Sequence, residues 1–255
     1  MSTPTPARLA ELRATIRRLE GVGAGGGRVL PLGVPAVDGA LPDGGLPMGC
    51  LHELAASDPG AGTAFAAALG ARLAERTGGP VLWILGGRDL HAAGLAAYGL
   101  TPDRLIAVRA TRTADLLWAM EEALRCRGLA AVLGEAAALD LTASRRLQLA
   151  AEAGGVTGLL LRLDPRHAPA GTAVTRWRIA AAPSEASAED GPGVGPERWR
   201  VELLRCRGGR PGAWTLEWRG PGWSGPDSSS PDSSSPDSSR TSEAAVRAYA
   251  LAHVA

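Results

Sequence analysis

The sequence predicts an α/β fold: a mostly parallel twisted sheet flanked by helices, with antiparallel strands at its C-terminal end. Three observations carry this. Between residues 51 and 161, short uninterrupted apolar runs alternate with helical patterns. Such runs suit strands buried on both faces, which is the signature of a parallel sheet covered by helices. After residue 175 the pattern changes to strict polar–apolar alternation, as in half-exposed strands. Finally, 45% of the 255 residues are hydrophobic while aromatics make up only 4%. The core is therefore built mainly from Ala, Leu and Val.

The elements follow in order. Residues 7–20 form an amphipathic helix, with Leu9, Leu12, Ile16 and Leu19 on one stripe and Arg8, Arg13, Arg17 and Arg18 on other faces. The run GVGAGGG, residues 21–27, is a flexible linker. A helix tethered in this way docks either on its own core or on a partner, and the sequence leaves both open. Residues 51–55 are a strand, SDPGAGT a loop, and 64–76 an Ala-rich helix. Strands follow at 81–85, 105–108, 129–133 and 156–161. Between them lie helices at 90–98, 113–127 and 142–153, the last capped by Thr142 or Asp140.

The alternating strands cover 175–181, 198–206 and 213–218, with RGGRPG as a hairpin turn between the last two. Residues 28–219 thus form one core. From residue 220 the composition collapses: the period-five run PDSSSPDSSSPDSS, residues 226–239, lacks apolar residues, and 220–241 is predicted to be disordered. Residues 242–255 form a short helix or tail.

Composition excludes several functions. Formal net charge is +1, so no global field draws the chain to nucleic acid or membrane. All 27 basic residues are Arg and none is Lys, which rules out Schiff-base chemistry and a phosphate-loop lysine. Cys50, Cys126 and Cys206 lack metal-ligand spacing, and no metal or cofactor is expected. His52, beside Glu53, reads as structural; His91, His167 and His253 are scattered. No stretch suits a membrane span, and residues 1–20 lack the apolar run of a signal peptide, which predicts a cytoplasmic protein with reduced thiols.

The stretch LPLGVPAVDGALPDGGLPMGCLHELAA resembles the opening of RecA-type recombinases. Its carriers are Val37-Asp38, the turn Gly44-Gly45-Leu46-Pro47 and the strand at 51–55. The likeness runs on through VLWILGGRDLHAAGLAAYGLTPDRLIAVRA and RTADLLWAMEEALRCRGLAAVLGE, and implies a RecA-like core over 28–219. A working phosphate loop of this kind uses Gly-rich backbone N–H groups, a Lys, and a Ser or Thr on Mg²⁺. The matching segment runs from Ala56 through Gly60 and Gly62 to Thr63, so Gly62 stands at the Lys position and only Thr63 agrees. Asp58 adds negative charge. The metal-binding Asp of the family falls on Gly134, with Glu135 shifted by one residue, and the water-activating Glu falls on Arg88. An Arg accepts no proton. Codon bias against Lys explains the first loss alone but not the other two, and the set implies a degenerate ATPase fold that is not an enzyme.

Within that group the chain resembles the ImuA family of damage-inducible mutagenesis proteins, which is also grouped with SulA-like proteins. The most specific carriers are LDLTASRRLQLAAE, VTRWRIAAAPSE and RWRVELLRCRGGRPGAWTLEW. The resemblance implies a non-catalytic accessory role in SOS-induced, error-prone translesion DNA synthesis. The implied partners are ImuB, an inactive polymerase relative, and an error-prone polymerase complex, with RecA a further candidate. A SulA-like division inhibitor and an ATP-binding RecA relative with residual activity are the alternatives. Two surfaces suit binding. The stripe Leu9, Leu12, Ile16 and Leu19 suits docking in a groove. Alternation puts Arg176 and Arg178 on the face opposite Trp177, and Arg200 lies in a similar strand. That face either contacts a phosphate backbone or pairs with Glu202 and Glu217 while the Trp residues fill the core.

Overall fold

In the computed structural model, residues 28–87, 90–136, 139–163, 171–184, 195–220 and 222–225 are described. The predicted 7–20 helix with Leu9, Leu12, Ile16 and Leu19, the 21–27 linker, Arg88, His167, most of the Ser/Asp/Pro tract and the 242–255 tail lie outside the described residues.

The chain enters through a two-stranded antiparallel ladder, β1 (Val29–Leu30) against β2 (Leu46–Pro47). Between them lies a one-turn helix, α1 (Pro35–Asp38). Asp38 explains part of the family-like opening. Its carboxylate accepts the backbone N–H of Leu32 at 2.7 Å and of Gly33 at 2.9 Å. Gly45 is a second structural requirement, because a Cβ there would stand 2.8 Å from the Leu30 carbonyl carbon. These motif residues build the entry to the sheet rather than a binding site.

The main sheet has nine strands. They are β3 (Leu51–Ala56), β4 (Val81–Leu85), β5 (Leu105–Arg109), β6 (Ala131–Glu135), β7 (Thr157–Arg162), β8 (Thr175–Ala182), β9 (Glu197–Cys206), β10 (Gly212–Trp218) and β11 (Trp223–Ser224), in the order β11-β10-β9-β8-β3-β7-β6-β4-β5. From β5 to β8 every pairing is parallel, and from β8 to β11 every pairing is antiparallel. The predicted α/β class with an antiparallel end therefore holds. One detail differs: β8, which alternates like its neighbour β9, runs parallel to β3 with Glu53 opposite Arg176. Its alternation reflects one covered face and one open face, and that reading is blind to strand direction. The sheet also continues past the boundary predicted at 219, since Trp223 is buried and Trp218 pairs with it.

Helices cover the parallel part on both faces. The longest, α2 (Pro59–Thr77), packs with Trp83, Trp177, Trp199 and Leu216 on one side. A short helix, α3 (Ala92–Leu95), lies on that side. On the other side, α4 (Thr113–Leu124) and α5 (Leu141–Gly154) bury Leu116, Met120, Leu147 and Ala151 against Ile84, Val132 and Leu160. Ala66, Ala67 and Ala68 of α2 are fully buried. Small side chains let this helix sit close to the sheet, which leaves room for the rings of β9–β11. Phe65 stacks on Trp223 at 5.2 Å and meets the Trp199 ring edge-on at 6.0 Å. Few aromatics suffice because most of the described ones gather in this one cluster, Trp118 being exposed.

Candidate functional site

The end of β3 and the start of α2 form the place where a phosphate loop would lie. The structure corrects the loop predicted over SDPGAGT. Only Ser57 and Asp58 separate the strand from the helix, and Gly60, Ala61, Gly62 and Thr63 are already helical. Asp58 is the N-cap, and its Oδ1 accepts the Ala61 N–H at 3.0 Å. Pro59 at the first helical position has no N–H to offer and suits a helix start. The positive end of α2 thus carries its own carboxylate. A phosphate brought to 4 Å would meet a repulsion of about 4 kcal/mol per charge pair at an effective dielectric of about 20. Gly62 is buried, and a Cβ there would overlap the Ala56 Cβ, with Leu161 and Leu163 next nearest. At position 62 the close packing of α2 on β3 leaves no room for any side chain.

The two acidic positions separate by face. Gly134 points at α4, where a Cβ would lie 2.8 Å from Met120 Sδ. Glu135 lies on the opposite face, the α2 side, and accepts the Trp83 Nε1–H at 3.0 Å. Strand alternation makes Glu135, and not Gly134, the β6 residue that shares a side with the α2 N-terminus. Gly86, in the turn after β4, comes close enough that a Cβ would stand 2.6 Å from the Glu135 carbonyl oxygen. Asp58 and Glu135 are thus two carboxylates on this side, and Arg88 lies outside the described residues.

The arginines of the antiparallel end divide into two groups. Arg176 Nε donates to Glu53 at 2.8 Å and is half-buried. Arg178 and Arg200 are exposed and share one carboxylate, that of Glu202, at 2.9 and 3.1 Å. Arg198 pairs with Glu217 at 3.3 Å. Trp177 and Trp199 are buried on the opposite face.

No family model matches the chain. Two curated relatives do, both named Protein ImuA, from Caulobacter vibrioides strains NA1000 / CB15N and ATCC 19089 / CIP 103742 / CB 15. Each is 46% identical over 203 residues, covering 74% of this chain and 83% of the relative. The chain belongs to the ImuA family. Membership carries a role in damage-inducible mutagenesis. Among the described residues no helix is long and apolar enough to cross a membrane, and no cluster of His, Cys, Asp and Glu is arranged to hold a metal ion.

This ImuA chain keeps its polar chemistry inside the sheet, where sequence reading missed it. Glu53, in the middle of β3, takes Arg162 Nη1 at 2.7 Å on one oxygen and Arg176 Nε at 2.8 Å on the other. Glu53 is 5% exposed and Arg162 only 2%. A cavity about the size of one water molecule adjoins them, lined also by Ser144, Gly171 and Ala173. One residue earlier, His52 faces the α2 side. Trp177 Nε1–H donates to Thr175 Oγ1 at 2.7 Å, Thr175 lies 2.7 Å from His52 Nδ1, and His52 Nε2 lies 2.8 Å from the Pro47 carbonyl. The carbonyl only accepts, so Nε2 carries the proton and Nδ1 accepts from the Thr175 hydroxyl. His52 is thus structural and neutral.

Burial lowers the pKa of His52 from the ordinary 6.5 to about 4, against a smaller opposing effect of the Pro47 hydrogen bond. The unfolded chain takes up a proton at His52 below pH 6.5, whereas the folded chain does so only near 4. Stability is therefore full above 6.5 and lost progressively as the pH falls toward 4, by about 3 kcal/mol in total. Urea unfolding followed from pH 7.5 to 4.5 in about half-unit steps should show this slope. In the His52→Gln variant the part of the slope between about pH 6.5 and 5 should flatten, since carboxylates titrate mainly below that window.

Proposed function

We propose that this chain is a non-catalytic accessory protein of SOS-induced, error-prone translesion DNA synthesis. It acts in the cytoplasm by binding an ImuB-type inactive polymerase relative within an error-prone polymerase complex, with RecA a further partner. The observation that carries the non-catalytic part is the α2 N-terminus. Asp58 and Pro59 occupy the positions from which a nucleotide phosphate would be held, and helix begins where the loop would be. A fold that keeps its core and closes its phosphate site has surfaces left to work with. Family membership supplies the setting.

The test has two arms. Calorimetry of the full chain with ATP and Mg²⁺ should show neither binding nor turnover; micromolar affinity or turnover overturns the non-catalytic reading. In damaged cells lacking their own copy, the chain should restore induced mutagenesis and recover the ImuB-type protein in a pull-down. Filamentation without mutagenesis would instead support a division inhibitor of the SulA kind. The amphipathic stripe at Leu9, Leu12, Ile16 and Leu19 is the proposed docking element. Leu12→Asp with Ile16→Asp should abolish the pull-down while the melting temperature of the core stays within about 2 °C of the parent. Unchanged recovery would rule the stripe out as the interface.

A further inference from the structure

Among the described residues the antiparallel end of the sheet is covered on one side only. Trp177, Trp199, Val201, Leu203 and Leu216 pack on the α2 side. The other side of β8, β9 and β10 presents Arg178, Ala180, Arg200, Glu202, Ala213 and Thr215, set across from one another by the strand register. Among the described residues no helix packs on this side, and Arg178, Arg200, Arg205 and Ala213 are exposed. The described residues leave this face uncovered, and arginines line it.

We infer that this open face holds the phosphodiester backbone of a single-stranded nucleic acid through Arg178, Arg200 and Arg205. Three features favour it. First, two guanidinium groups share the single carboxylate of Glu202, so the trio carries one charge more than that acid neutralises. Exposed ion pairs of this kind are worth little in water, and a guanidinium keeps further N–H donors for phosphate oxygens. Secondly, Arg205 stands opposite Arg176 across a bulge and donates to the Gly171 carbonyl at 2.9 Å, which extends the positive line along the strands. Thirdly, Ala180, Ala213 and Thr215 keep the surface between the arginines low, so an extended chain can lie on it.

The same geometry limits what is read. Single-strand binders that stack bases need aromatic rings on the binding face. Here Trp177, Trp199 and Trp214 lie on the opposite side, so contact is confined to the backbone. Among the described residues no helix or ribbon projects from the face to enter a duplex groove. Binding is therefore salt-dependent and indifferent to base identity. The inference concerns nucleic acid alone and stands or falls separately from the polymerase partnership.

The experiment is fluorescence anisotropy of the full chain with labelled oligo-dT, oligo-dA and a duplex of the same length, at several chloride concentrations. The three arginines predict a slope of log K against log salt of about −2, at about −0.7 per single-strand phosphate neutralised. Oligo-dT and oligo-dA should bind alike, since only phosphates are touched, and tighter binding of the duplex than of either overturns the single-strand assignment. Arg178→Gln with Arg200→Gln should weaken binding by about tenfold or more and flatten the slope by about 1.4. The control Arg145→Gln, on the exposed side of α5, should change neither, and circular dichroism should show all variants folded. Absence of binding, an unchanged double variant, or a marked preference between dT and dA overturns the inference. So does tighter binding of poly-glutamate than of oligo-dT at equal charge, which would make an acidic polypeptide the occupant.

Discussion

Replacing Glu53 by alanine is expected to lower the unfolding free energy by about 3–5 kcal/mol. The reason is the carboxylate's position between two guanidiniums in the interior. Arg162 and Arg176 approach it from the two strands that flank β3, each on its own oxygen. Removing the acid takes from Arg162, at 2% exposure, the carboxylate it pairs with at 2.7 Å. Urea unfolding at neutral pH measures the loss directly, as a fall in the midpoint. A second variant separates charge from packing. Glu53→Leu with Arg162→Met and Arg176→Met should recover much of the lost stability, because a buried ion cluster contributes little beyond what well-packed apolar groups of similar volume provide. If Glu53→Ala costs less than about 1 kcal/mol, the cluster is not a structural element of the sheet.

Restoring the missing lysine should not restore a nucleotide site. Gly62→Lys is expected to destabilise the fold by more than about 3 kcal/mol and to leave ATP binding undetectable. The added Cβ overlaps that of Ala56, and both are fixed to backbone, so either α2 or β3 must shift. The first carbons of the lysine side chain would lie beside Leu161 and Leu163. Gly62→Ala isolates the steric part and should already cost stability. Melting curves give the first quantity and calorimetry with Mg-ATP the second. Micromolar ATP binding by Gly62→Lys would mean that the phosphate seat is open after all.

The phosphate region shows how sequence and structure divide the explanation. Reading Ala56 to Thr63 against a phosphate loop made the segment a loop with the wrong residues. Asp58-Pro59 is also a helix-start signal, an N-cap acid followed by proline at N1, and that signal is the one the structure obeys. Gly134 is the reverse case. It reads as a lost metal ligand, but alternation along β6 turns it toward Met120, and Glu135 is the residue on the α2 side. The absent lysine is a fact of composition. The absence of space for it is a fact of packing.

By itself the sequence determined the parallel α/β core, the change of pattern at residue 175, the family and the lack of a phosphate-loop lysine. These are legible because they rest on periodicity, composition and contiguous motifs. Only the tertiary structure decided that β8 runs parallel to β3, that Glu53 lies between Arg162 and Arg176, and that the arginines of β8 and β9 share one face. The residues concerned are 109 and 123 positions apart for the ion pairs, and 24 apart for Arg178 and Glu202. Strand register and strand order bring them together, and both are set by packing over the whole sheet rather than by any local stretch of chain.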